Sequence, residues 1–164
     1  MKRIPLTQGK EALVDDQDYE YLMQWKWCWH WTARRTTTYA RRDIGGRRHK
    51  SSVHMHRVIA ERMGHLAQGR QIDHVDGNGL NNQRSNLRVA TQSENGGNRG
   101  RNRNNKSGYK GVCWDATRQK WLAALKHRGR QVLHKRFDDP KEAARAYNDA
   151  ALKHFGAFAF LNPV

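Results

Sequence analysis

The sequence predicts an α+β protein built in two parts. Three observations carry that expectation. Short runs with strand character, bounded by turn residues, recur along the chain, among them "GYKGVCW", "KWLAALKHRG" and "RQVLHKRF". A single long helical pattern, "DDPKEAARAYNDAALKHFG", follows them. Between the two parts, "GGNRGRNRNNKSG" at residues 96–108 is rich in Gly, Asn and Arg and has no large apolar side chain, so it reads as a flexible basic linker. The expected organisation is a first domain over 1–95 with a Trp-rich β segment, a linker over 96–107, and a second domain over 108–164. A chain of 164 residues can bury one ordinary core or two small ones.

In the first domain, "WKWCWHW" sets Trp25, Trp27, Trp29 and Trp31 at period two. A strand would present all four on one face, and core packing is the expected use of that face. "TTTYARR" is a second strand candidate, "DIGG" a turn, and "HKSSVHMH" a further strand. "RVIAERMG" reads as a short helix stopped at Gly64. "IDHV" and "LRVAT" are two short strands joined by the loop "NGLNNQRSN". Thr91 and Glu94 then form a possible capping box at a helix start. In the second domain, Asp139 is the candidate N-cap, Pro140 the first helical residue and Gly156 the stop. Ala143, Ala146, Tyr147, Ala150, Ala151 and Phe155 supply the apolar face that lies on a three-stranded sheet.

The formal charge of +16 narrows the partners. It is spread as +7 over residues 1–70, −1 over 71–95, +4 over 96–107 and +6 over 108–164. A surface this basic points to nucleic acid through counterion release. A membrane partner is not expected, since no long apolar run or basic amphipathic helix is present. Cys28 and Cys113 stand alone, outside any C-x-x-C pair, which fits a reducing cytoplasm. "MKRIPLTQGKEALVDD" lacks an apolar signal core, so a cytoplasmic location is expected.

The locally non-positive stretch "QIDHVDGNGLNN" places Asp73, His74 and Asp76 together. A carboxylate and an Asn carbonyl are hard oxygen donors that suit Mg²⁺, and a neutral His beside them can take a proton from water. An EF-hand reading fails, because Arg84 stands where that loop needs a bidentate Glu. A plain Asx-rich turn remains open on the residues alone.

"HRVIAERM…IDHVDGNGLNNQRSNLRVATQSEN" resembles the HNH endonuclease motif, the ββα-metal fold, in its phage homing-endonuclease form. The upstream "IPLTQGKEALVDDQDYEYL" resembles the N-terminal segment common in such proteins. The resemblance implies Asp73 as first metal ligand, His74 as general base, Asn86 as the residue that orients His74, and Asn95 as second ligand. It implies one Mg²⁺ or Mn²⁺ per active site, and duplex DNA as substrate. The segment "GYKGVCW…KWLAALK…FDDPKEAARAYNDAALKHFGAFAFLN" is similar to the Apetala-type, ethylene-response-factor DNA-binding domain. Tyr109, Gly111, Trp121, Phe137, Tyr147, Leu161 and Asn162 carry that likeness. Arginines expected soon after the Tyr-x-Gly-Val element are replaced by Cys113, Trp114 and Asp115. By charge and strand position, the expected DNA contacts are Lys110, Trp114, Arg118, Lys120, Lys126, Arg128 and Arg130.

The function expected from these readings is metal-dependent DNA cleavage. The rival is a non-cleaving DNA-binding regulator with a degenerate HNH fold. A basic RNA-associated structural protein would explain the charge but neither motif. One such site per chain is compatible with a monomer that nicks or a homodimer that cuts both strands.

Overall fold

The computed structural model describes residues 1–31, 37–46, 51–65 and 69–164. Among these, the chain divides into two compact units, Met1–Ala90 and Thr91–Val164. No helix of the described residues is long and apolar enough to cross a membrane.

The first unit begins with a hairpin of β1 (Lys2–Pro5) and β2 (Glu11–Val14), followed by helix α1 (Asp16–Met23). Strands β3 (Cys28–His30), β4 (Tyr39–Ile44) and β5 (Ser51–His54) form an antiparallel sheet in that order. Helix α2 (Met55–Arg62) follows directly, and a second hairpin pairs β6 (Gln71–His74) with β7 (Leu87–Ala90). Ile4, Val14, Leu22, Trp27, Met55 and Ile59 are almost entirely removed from water and belong to one core. Alternation places Ile4, Ala12 and Val14 inward from the hairpin, while α2 buries Met55, Val58 and Ile59 at helical spacing.

The tryptophans depart from the expected single face. The strand covers only Cys28–His30, because the chain turns at Gln24 and Trp25 after α1. Trp27 alone is fully buried, donating its indole N–H to Leu22 O at 2.9 Å. Trp25 packs under the Arg42 guanidinium, 4.2 Å from its ring centre, and Trp31 is 48% exposed. Of the strand candidates beside them, Thr36, His49 and Lys50 lie outside the described residues.

The second unit opens with helix α3 (Gln92–Asn98), then β8 (Val112–Asp115), β9 (Lys120–His127), β10 (Arg130–Phe137) and α4 (Pro140–Phe155). The sheet order is β10–β9–β8, all antiparallel. Val112, Ala123, Leu125 and Leu133 pack under Ala143, Ala144, Tyr147, Ala151 and Phe155 of α4. Gly111 sits at φ +74 directly beneath Tyr147, where a Cβ would overlap the phenol ring. Asn162 closes the unit. Its Oδ1 accepts from Lys110 N at 2.7 Å, its Nδ2 donates to Lys110 O at 3.1 Å, and its backbone pairs with the Asn148 side chain.

The segment read as a linker over 96–107 is more structured than its composition suggests. Helix α3 runs through Asn98 and has a complete capping box between Thr91 and Glu94. Gly97 is buried against Phe155, and its carbonyl accepts from Phe160 N at 3.0 Å. Farther on, Asn105 and Ser107 hydrogen-bond the carbonyls of Tyr109 and Val112. The packing uses glycine and backbone groups rather than apolar side chains, so hydropathy gives no sign of it. The helix expected to end the first domain at residue 95 thus lies in the second compact unit.

Candidate active site

The β6–β7 register sets Asp73 opposite Arg88 and His74 opposite Leu87. Asp73 and His74 are both buried, at 6% and 4% exposure. Asp73 is ion-paired: Arg88 Nε donates to its Oδ2 at 2.9 Å. His74 Nε2 lies 3.3 Å from Asn82 Oδ1. With the proton on Nε2, this contact is a hydrogen bond that fixes both tautomer and ring orientation.

Two further rings touch His74, and a third packs behind them. His56 meets it edge-on at 5.0 Å between centroids, and Tyr39 lies at 5.8 Å. His54 stacks on His56 at 5.3 Å. His56 is 8% exposed, and its Nδ1 has no hydrogen-bond partner among the described residues. Burial pushes the His56 pKa well below the usual value, with the like charges of His74, His54 and Arg57 adding to the effect. Burial also lowers the His74 pKa, against the opposing influence of the Asn82 hydrogen bond and the charges of Asp76 and Asp73. The neutral imidazole is therefore favoured near neutral pH, as a proton acceptor requires.

The loop between the strands is organised by Asp76. Its Oδ1 accepts from Asn78 N at 2.8 Å and Asn86 Nδ2 at 2.9 Å, while Oδ2 accepts from Asn81 Nδ2 at 2.8 Å. Burial raises the Asp76 pKa, but these hydrogen bonds and the His74 charge outweigh it and leave the carboxyl more acidic than usual. Asn86 is thereby committed to the turn: its Oδ1 accepts from Asp76 N and its Nδ2 donates to Asp76 and to Asn81 O. The side chain on His74 is Asn82, four residues earlier than the Asn86 assignment expected. The Asx-rich turn and the Asp–His pair coexist: the Asp76 side chain organises the turn, which takes from His74 only its carbonyl, accepting from Gly77 N at 2.9 Å.

The loop is braced from the N-terminal elements. Asn82 N donates to Leu13 O, and Leu13 N to Leu80 O, each at 2.8 Å. Asp15 accepts from Arg84 N at 2.8 Å. Asp18, with no exposure, takes two hydrogen bonds from Arg84 at 2.7 and 2.9 Å and one from Arg62 at 2.8 Å. Burial acts to raise the Asp18 pKa, but the two arginines lower it on balance. Tyr39, His56, Asn82 and Asp18 were not singled out from sequence. His56 stood inside the motif as written, and Asn82 was one of several asparagines in the loop.

Asn95 lies on α3, in the second unit, with its N–H bonded to Thr91 O at 3.0 Å. Among the described residues, no group of three or more His, Cys, Asp or Glu side chains is arranged to hold a metal ion.

The expected DNA contacts fall into different settings. Lys110 is half-buried and donates to Gly97 O at 2.6 Å and Gly96 O at 3.3 Å. Burial, helped by the charge of Arg99, lowers its pKa to about 8. Trp114 is 50% exposed and meets Trp121 edge-on at 5.2 Å. The register sets it opposite Trp121, on the side of the sheet that also carries Ala123 and Leu125. Arg118 approaches Asp115 at 3.8 Å, and Lys120 pairs with Asp138 at 3.1 Å. Lys126, Arg128 and Arg130 are exposed around the β9–β10 turn. Lys120, His134 and Arg136 share the sheet's other side, away from α4.

Residues 53–96 match the family described as HNH endonuclease, so the chain carries an HNH endonuclease domain over that segment. The match takes in His54 and His56 of the ring cluster, but not Tyr39, together with the β6–β7 hairpin and most of α3. Protein 3.8 of Escherichia phage T7 is 40% identical to this chain over 68 residues, 42% of this chain and 56% of that protein. The chain thus spans little more than half the length of this curated relative. No solved structure matches.

Proposed function

We propose that the protein is a metal-dependent DNA endonuclease of the phage homing-endonuclease type, hydrolysing phosphodiester bonds with His74 as general base. The observation that carries the reading is the buried Asp73–His74 pair, with His74 oriented by Asn82, inside the HNH-matching segment. With Nε2–H directed at Asn82, the lone pair on Nδ1 is the one that accepts a proton from an attacking water. Asn86 acts one step removed, holding the turn from which Asn82 reaches the imidazole.

The donor chemistry fits a hard divalent cation. A carboxylate oxygen and an amide carbonyl are hard donors of the kind such an ion takes. Asp73 and the Asn95 amide are the residues assigned to hold one Mg²⁺ or Mn²⁺, with the remaining positions left to water and a DNA phosphate. When bound, such an ion supplies charge neutralisation at the phosphate undergoing attack and at the departing oxygen. Residues 108–164 are assigned as the DNA-binding part, by their likeness to the Apetala-type domain and their charge. The acting form is a monomer or a homodimer on duplex DNA.

The Asp73–Arg88 ion pair favours one alternative, a DNA-binding regulator in which that carboxylate is structural. A plasmid-nicking assay with and without Mg²⁺ separates the two. Mg²⁺-dependent conversion of supercoiled to open-circular or linear DNA supports the nuclease. Retained binding with intact plasmid supports the regulator.

A further inference from the structure

A cleft of about 630 Å³ opens within the second unit, between α3 and the end of the β9–β10 hairpin. Its floor is apolar, formed by Leu125, Tyr147 and Phe155, and its polar lining carries three cations, Lys110, Lys126 and Arg128. No Asp or Glu lines it. The side chains of Lys126 and Arg128 make no ion pair or hydrogen bond with another described residue, in contrast to those of Lys120 on β9 and Arg118 in the turn before it. Lys110 is held by the carbonyls of Gly96 and Gly97, which fixes its ammonium in place. Three like charges gathered without a counter-charge repel one another, so the arrangement is suited to an anion that arrives from outside.

The backbone at Arg128 makes the same point independently. The hairpin turn is the two-residue Arg128–Gly129, with φ +48 and +78. A turn of that form favours Asn-Gly, because the left-handed region crowds Cβ against the following carbonyl and Asn offsets that cost with a local hydrogen bond. Arg occupies the position where Asn would be more comfortable, and its side chain lines the cleft. Local strain of this kind often accompanies a functional side chain.

We propose that this cleft seats one backbone phosphate of duplex DNA, held by Lys110, Lys126 and Arg128. The proposal rests on the nuclease reading only in taking DNA as the ligand. It places a phosphate contact by α3 and the hairpin turn, whereas the sequence reading assigned contacts by charge and strand position.

The test uses the full chain in EDTA, so that binding is measured without cleavage. A duplex series carries a single neutral methylphosphonate at each backbone position in turn. Arg128→Asn removes the cation while relaxing the turn, so its thermal midpoint should equal or exceed that of the wild type. At one backbone position the neutral substitution should weaken wild-type binding, and weaken that of R128N by clearly less. The slope of log K against log salt should also fall by about 0.9 in R128N. Additive effects at every position, an unchanged slope, or no duplex binding by the wild type would each overturn the proposal. Amide spectra separate the sources of phosphate: saturation of the Gly129 signal by inorganic phosphate, without coupling in the duplex series, overturns the backbone assignment. Nicking in Mg²⁺ reports on the nuclease separately. A protein that shows the coupling but never nicks keeps the cleft and loses the nuclease reading, and one that nicks without the coupling does the reverse.

Discussion

Asn82 Oδ1 stands 3.3 Å from His74 Nε2, and both residues are buried to within a few per cent. Asn82 reaches that position because its N–H is tied to Leu13 O, so strand β2 helps to set the tautomer of a histidine sixty residues downstream. If His74 is the general base, His74→Ala should lower cleavage about 10²–10⁴-fold with DNA binding nearly unchanged. Asn82→Ala should give a smaller loss in the same direction, because the base survives without its orienting partner. Single-turnover nicking rates beside binding isotherms would decide. Full activity in either folded variant removes that residue from the mechanism.

Asp73→Ala should abolish Mg²⁺-supported cleavage, and EDTA should silence the wild type. Mn²⁺ should restore activity after chelation, since it accepts the same oxygen-rich octahedral setting. Nicking measured across a metal series tests this directly. Undiminished cleavage in EDTA would return Asp73 to a structural role with Arg88.

Asp18 is a wholly buried carboxylate that neutralises two arginines from different elements. Asp18→Ala leaves Arg62 and Arg84 facing each other without their anion. The expected cost is about 3 kcal/mol, the low end for breaking a buried pair, because both arginines retain some contact with water. Urea unfolding would read the loss as a lower midpoint at constant slope. A change near zero would mean that Asp18 does not hold the loop.

Stability should fall with acidity in two stages. His56 and His74 have folded pKa values below the ordinary 6.5, so below that pH the unfolded chain takes up protons first and is favoured. Their contribution is full above 6.5 and is lost as the pH drops below it. Asp18 and Asp76, also lowered, begin to cost stability only as the pH falls through their ordinary 3.8. Thermal midpoints in EDTA from pH 7 to 5 should therefore decline, and His56→Phe should flatten the decline. An equally steep profile in that variant would assign the effect elsewhere.

The second sheet and α4 were legible because their signals are local. Alternation marks β8 to β10, and Asp139 caps α4 by accepting from Lys141 N at 3.0 Å. The Asp73–His74 pair was legible as chemistry and as a family likeness. The partner of His74 was not, because a loop holding Asn78, Asn81, Asn82 and Asn86 offers several amides, and only the folded turn reveals that Asp76 claims Asn86. The His54–His56–Tyr39 cluster was equally hidden. Its rings come from β4, β5 and α2, and nothing in the spacing of those residues announces that they converge.

The contact between Gly97 and Phe155 bears on how far this motif can be moved. A Cβ at Gly97 would lie 2.6 Å from the Phe155 ring, and the carbonyls just after Asn95 are the ones that Lys110 holds. The final turns of the HNH segment therefore depend on residues that follow it by some fifteen to sixty positions. A cassette of residues 53–96 transplanted into another scaffold would carry the Asp73–His74 hairpin but leave α3 without the ring and the ammonium that hold it. Recombination at the end of the family match would separate a helix from its support, whereas a crossover near Ala90 would follow the boundary between the two units.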